Sequence, residues 1–466
     1  MRFLTAVLIL WSSFAVAQQK CDCEKEFSFI KGFIEKNYAG FSDKVTPSTQ
    51  ARYVSFSDSI LKSSRTATAT NYCYYTIQNW LNYFRDGHIQ VMRKPKTVFS
   101  DSSEMISLSA DEISALKGKP VNDIEGIYTS ISKQYELAFV RKPNSYRDYA
   151  GVVITSKAKS WKPGQVKLEL KETGNNTYTA IYYFKDHHPE VKTYTFKNGK
   201  SFPEDFIKAG VADPLPANTE PFNKLENSNT VVFYKDLDDS TSYLRVKSFD
   251  DHFAKKISSV LKDNDKKIRS KPYMIIDVRY NGGGSDFTYS AILPYIYTDP
   301  VKTVGADVLS TPDNIQSWQR VIDQNPGLPE EVKKSIASVI EQMKSNPGKL
   351  VSIAPDQVDS LPSVYPSPRK VAILIDAECG SSTEQFLLSA GQSKKVIIMG
   401  QHTAGVLDYS NMRTIDFPRM SYMLGYATSR SRRIPKDAID NTGITPRITI
   451  DFNKPWIDEV KSSLRK

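Results

Sequence analysis

Past its first 20 residues the chain lacks any apolar run approaching the eighteen or so residues a bilayer span requires, which excludes a helical membrane domain. It carries 4 Cys and 5 His among 466 residues. That is too little cysteine for a disulfide scaffold, and one Cys-x-Cys pair with scattered partners is not a zinc ligand array. Its formal charge of +10 is spread along the chain, with no dense basic stripe interleaved with aromatics, so nucleic acid is not an expected partner. Internal repeats and low-complexity tracts are missing, as are the phosphate loop of nucleotide hydrolases and the spaced glycines of a dinucleotide site. What is present is ordinary for a folded protein: 40% hydrophobic and 24% charged residues, with length enough for two to four domains.

The start of the chain points to export. Arg2 precedes an apolar stretch over residues 3–11, and Ala15-Val16-Ala17 offers a small-x-small cleavage site, so residues 1–17 read as a signal peptide. The mature protein is then expected in a periplasmic or extracellular space, where Cys73 can bridge to Cys21 or Cys23. Cys379 sits at the end of an apolar strand and reads as a buried thiol.

Four parts follow. Residues 18–100 show helical periodicity (Phe27, Ile30, Phe33, Ile34; Ile77, Trp80, Leu81, Phe84) and predict an N-terminal helical domain, with the Ser/Thr-rich piece 55–70 as a connection carrying a short helix. Residues 101–212 alternate polar and apolar positions between turn signals and predict an inserted antiparallel β domain. Residues 213–229, rich in Pro, Asn and Glu, read as a linker. Residues 230–466 alternate strands with helices and predict an α/β core, interrupted by a helical insertion at 311–346.

Two strand-to-helix junctions in that core could carry chemistry. One runs from the apolar strand ending at Asp277 into Asn281-Gly282-Gly283-Gly284, where consecutive glycines let backbone N–H groups face a ligand. The other runs from the strand ending at Asp376 into Ser381-Ser382-Thr383-Glu384. Ser381-x-x-Glu384 is a capping-box pattern, and it is equally a serine at a helix N-terminus, where free N–H groups stabilise negative charge.

In this order Asp277-x-Arg279-x-Asn281-Gly282-Gly283-Gly284, Ser381-x-x-Glu384, Gly400-x-x-Thr403-x-Gly405 and Gly443-Ile444-x-Pro446 resemble the serine peptidases of the C-terminal processing and tricorn group, whose fold is shared by interphotoreceptor retinoid-binding proteins. The resemblance covers residues 230–452 and a short piece near His88; it implies a crotonase- or ClpP-like layered core and no metal or organic cofactor. In the processing branch a lysine stands 25 positions after the serine, where this chain has Val406. Lys394 and Lys395 lie in a polar loop and read as solvated charges. The tricorn branch takes a histidine from the N-terminal region, and Asp86-Gly87-His88 fits its Asp-x-His signature, with Gly87 where that branch has a serine. A serine hydroxyl needs a base near pH 7, a task imidazole suits. The resemblance therefore implies Ser381 as nucleophile and His88 as general base, with His402 as the rival base. Asp440 stands where the branch has a glutamate and would orient the imidazole. The oxyanion would be held by Gly283 or its neighbour Gly282, together with the N–H of Ser382. A PDZ domain is not visible between residues 100 and 220.

The expected function is an exported serine endopeptidase acting on a peptide or protein, the alternative being a catalytically inactive peptide- or lipid-binding protein on the same fold. The β-rich part could dock a partner or an extended peptide along an edge strand. Oligomeric state is not legible.

Overall fold

A computed structural model describes residues 21–97, 103–202, 205–211, 230–452 and 455–466. The expected leader at 1–17 and linker at 213–229 lie outside the described residues. Among the described residues no helix is long and apolar enough to cross a membrane.

The two most apolar strands, Tyr273–Asp277 and Lys370–Ile375, are the centre of a six-stranded sheet. Its order is Val232–Asp236, Thr241–Val246, Tyr273–Asp277, Lys370–Ile375, Val396–Gly400 and Ile448–Thr449. The first pair is antiparallel and every later pair parallel. Side chains alternate between faces along each strand, and both faces are covered. Met274 and Ile276 pack with the helix Ala254–Ser270 and with Phe386, while Ile275 packs with Trp456, Val460 and Leu464 of the helix Trp456–Arg465. Parallel strands bring their C-terminal ends to one edge, so the loops after Asp277, Ile375 and Gly400 open together there.

The N-terminal helices Cys23–Asn37, Gln50–Ser64 and Thr70–Leu81 do not enclose a core of their own. Phe27, Ile30, Ile34, Ile77 and Trp80 form one cluster with Tyr409, Tyr422, Leu424 and Tyr426 from the C-terminal part. The strand Gln90–Arg93 joins the same body by pairing with Tyr422–Ser431. A disulfide links Cys23 to Cys73, one of the two expected pairings, leaving Cys21 free; Cys379 is buried. The Ser/Thr-rich piece departs from expectation, because most of it lies in the fifteen-residue helix Gln50–Ser64. Tyr53 and Ile60 supply the buried stripe, and Ser59, Ser63 and Ser64 donate to carbonyls three or four residues back. Composition suggested a connection, but the apolar spacing decides the element.

Eight strands between Gly126 and Lys208 close into an antiparallel barrel, the first (Gly126–Ser130) pairing with the last (Phe206–Lys208). Leu137, Phe139, Leu168, Tyr194 and Trp161 fill it. Closure removes the sheet edges, so these strands offer no place for the expected strand addition. Residues 311–346 form the helices Pro312–Gln324 and Glu330–Ser345, packed through Trp318, Ile340 and Met343 on Val308 and Val351.

Candidate active site

The first junction is held by a buried ion cluster. Asp277 is fully buried and accepts from Arg279 Nε at 3.0 Å, Arg279 Nη2 at 2.8 Å and Tyr243 Oη at 2.7 Å, and it pairs with Arg245. The two guanidinium groups hold its carboxyl down to about 2 against the opposing effect of burial. The Asp277-x-Arg279 motif is thus structural: it fixes the strand end from which the glycine loop leaves. Asn281 then shapes that loop, donating to Val246 O at 3.2 Å and accepting the Gly283 N–H at 3.0 Å.

The second junction is tied to the first by Asp376, which accepts the N–H groups of Tyr280 and Glu378, each at 3.1 Å. Gly380 N–H reaches Asn281 O at 3.2 Å. Ser381 follows as the cap of the helix Ser382–Ala390, with φ 54° and ψ −125°. A side chain at positive φ costs about 1–3 kcal/mol and persists only where its surroundings impose it. Here the imposing group is Glu384. Its buried carboxylate accepts from Ser381 N–H at 3.3 Å, Thr403 Oγ1 at 2.5 Å, Gly405 N–H at 2.8 Å and Val406 N–H at 2.9 Å. The capping box therefore forms, and the same glutamate draws the Thr403–Val406 turn against the serine. Cap and candidate nucleophile are one arrangement.

The glycine loop lies directly beside Ser381. A β-carbon placed on Gly283, whose φ is 107°, would fall 2.8 Å from Ser381 Cβ and 3.0 Å from Ser382 N. The Gly283 N–H is used by Asn281, whereas those of Gly282 and Ser382 enter no hydrogen bond among the described residues. Ser382 Oγ turns away to Gly284 O at 3.1 Å.

The piece around His88 arrives at the same place. It follows the turn Asn82–Phe84 and precedes the strand Gln90–Arg93. A β-carbon on Gly87 would lie 2.6 Å from Val406 Cγ1, and one on Gly380 would lie 2.7 Å from Val406 Cγ2. The histidine turn and the serine turn thus flank one valine side chain, at the position where the processing branch has its lysine. Val406 also accounts for Gly87: the serine of the tricorn pattern would have no room for its β-carbon.

Asp440 comes to this region too. Its Oδ1 accepts the N–H groups of Leu407 at 2.9 Å and Asp408 at 2.7 Å, and Asn441 donates to Arg85 O at 2.8 Å. Burial, then the charges of Asp86 and Asp408, push the Asp440 carboxyl up to about 7. Asp408 is held by Arg433 at 3.1 Å and accepts Ile439 N–H at 2.6 Å. His402 is exposed, its Nδ1 2.9 Å from Thr403 O. His187 stacks on Trp161 in the barrel, His188 pairs with Asp186, and His252 pairs with Asp250. Lys394 is paired with Asp299, and Lys395 donates to Tyr365 O.

Glu384 beyond its capping role, Asp376, Asn281 and the Asp408–Arg433 pair are absent from the sequence reading as site residues. The only signal for them was a carboxylate or amide beside a glycine turn.

The comparisons with known proteins fall on this geometry. The model of peptidase family S41 matches residues 240–450, which hold both junctions and the Thr403–Val406 turn. Residues 240–450 are thus similar to peptidase family S41. Mature CPAF complexed with lactacystin is similar in fold, with a TM-score of 0.52 and 13% identity over 95% of this chain and 97% of that one. Another structure of mature CPAF gives 0.50 and 13% over 96% of each chain. The structure of a putative peptidase from Parabacteroides merdae ATCC 43184 gives 0.44 and 12% over 95% of this chain and 96% of that one. No curated protein matches the chain in sequence. This match supports a serine-type peptidase, a family acting on peptides or proteins.

Proposed function

We propose that this chain is an exported endopeptidase of the tricorn type, with Ser381 as nucleophile and His88 as general base. The observation that supports the reading is the contact at Val406: one methyl meets the Gly87 side and the other the Gly380 side, which brings the turn before His88 beside the turn before Ser381. In the proposed cycle Ser381 Oγ attacks the carbonyl carbon as its proton passes to His88, and a tetrahedral oxyanion forms. Ser382 N–H and the glycine loop hold that oxyanion, with Gly282 offering an unengaged N–H and Gly283 the closest approach. The imidazolium gives its proton to the leaving amine, and water then hydrolyses the acyl-enzyme by the same path. Asp440 belongs to the acidic support behind the histidine. The positive end of the Ser382–Ala390 helix favours the developing charge. Export is supported by the leader pattern and by the Cys23–Cys73 bridge, since disulfides persist in oxidising compartments.

Ser381→Ala and His88→Ala are each expected to abolish labelling by a fluorophosphonate probe with the melting temperature within a few degrees of the parent. Labelling that survives Ser381→Ala overturns the mechanism, and a parent protein that neither labels nor cleaves any peptide favours the non-catalytic carrier.

A further inference from the structure

We propose that Asp86 is the positioning residue of this site: its carboxylate fixes the His88 backbone, stands beside the ring and offsets the positive charge the ring gains on taking the serine proton. The inference rests on the serine–histidine reading above and assigns the orienting role to a residue other than the one expected from the family pattern.

The geometry favours Asp86. Its side chain is fully buried, and Oδ1 accepts the His88 N–H at 2.8 Å while standing 3.7 Å from His88 Nδ1. Among the described residues Asp86 is the carboxylate within ion-pair reach of that ring. Oδ2 accepts the Tyr38 hydroxyl at 2.8 Å, so the group is fixed from both oxygens. His88 Nδ1 is itself buried without a hydrogen-bond partner, so the charge it would share in the imidazolium finds its nearest compensation in Asp86.

Asp440 is built differently. Its Oδ1 is taken by two backbone N–H groups, and its Oδ2 is buried without a partner. Two adjacent buried carboxylates cannot both ionise cheaply, and the one lacking a cation is the one that keeps a proton. Burial raises the Asp86 carboxyl, opposed by the charge of His88, the His88 N–H, the Tyr38 hydroxyl and the charge of Lys44, whereas Asp440 faces the like charges of Asp86 and Asp408. Asp408 is already matched by Arg433. The remaining neighbours, Tyr38 and Tyr409, are phenols held neutral by burial. Of the two carboxyls, Asp86 is the one with an imidazole and two hydrogen-bond donors on its oxygens, and so the one placed to stabilise the charge on His88.

Asparagine at 86 separates this role from a merely structural one, because its side-chain oxygen can still accept from His88 N–H and its amide can donate to the Tyr38 hydroxyl oxygen while carrying no charge. The test is the pH profile of peptide cleavage by the full chain, comparing the parent, Asp86→Asn, Asp86→Glu and Asp440→Asn. Asp86→Asn is expected to lower kcat about tenfold or more at unchanged KM and to move the acid limb of the profile down by about one pH unit, since losing the anion destabilises the imidazolium. Asp86→Glu should recover part of kcat and return the limb toward the parent. Asp440→Asn should lower kcat with the limb in place. An Asp86→Asn enzyme with parental kcat and limb, or a limb that moves only in Asp440→Asn, overturns the assignment. If Asp86→Asn does not fold, Asp440→Asn decides alone: a limb that stays supports Asp86, and a limb that moves down overturns it. A parent without Ser381-dependent cleavage overturns the underlying reading instead, so the two failures are distinguishable.

Discussion

Asp277 gathers two arginines and a tyrosine around one carboxylate in a place without solvent. Removing that charge strands two guanidinium groups, and breaking such a buried pair costs about 3–5 kcal/mol. Asp277→Asn should lose about that much stability in urea unfolding, and lose peptidase activity with it because the glycine loop hangs from this strand. A carboxyl held near 2 in the folded state contributes stability that is complete above its unfolded value of about 4 and is lost as pH falls through 2. Acid unfolding of the parent should accordingly steepen between pH 4 and 2, and the variant should lack that steepening. Asp440 has the opposite sign. Its carboxyl is raised to about 7, so the folded state keeps the proton more firmly and loses stability as pH climbs from about 4 through 7. Asp440→Asn is expected to melt at a higher temperature than the parent at pH 8, with the gain shrinking toward pH 5; a melting difference independent of pH would refute that account.

The two strand–turn–helix junctions are the elements on which the site depends. Gly283 has positive φ and no space for a side chain, because its β-carbon would meet Gly380 O and Ser381 Cβ, both at 2.8 Å. Gly283→Ala should therefore push the glycine loop off the serine turn, lowering kcat roughly hundredfold, the scale of an ångström-sized misplacement. These junctions were legible in the sequence because each consists of neighbours: an apolar strand, then glycines or a serine, then a helix start. What tightens them was not. Asp376 reaches back 96 positions to Tyr280, and Glu384 gathers a turn some 20 positions ahead, contacts that no local pattern announces. Likewise, alternation showed the strands between 126 and 208 but not their closure, which depends on the first strand finding the last. The helix at Gln50–Ser64 was hidden by its serines, which bond to their own helix rather than breaking it.

At the scale of the molecule the Cys23–Cys73 bridge closes a loop with a sequence separation of 50 inside the N-terminal helices. Closing such a loop in the unfolded chain is worth about 4 kcal/mol in the chain-entropy model. Reduction, or the Cys23→Ala/Cys73→Ala double variant, should lower the melting temperature measurably and loosen the seat of His88 before that of Ser381, so peptide cleavage should fall while the α/β core stays folded by circular dichroism. The sequence divides this region from the C-terminal core, whereas the structure merges them: Trp80 and Ile30 share one apolar cluster with Tyr422 and Tyr426, and Gln90–Arg93 pairs with Tyr422–Gly425. A growing polypeptide that has passed Ser381 but not yet reached residue 422 lacks the strand against which the segment bearing His88 docks. On the proposed mechanism such a chain cannot yet cut, and its activity switches on only when the last hairpin arrives.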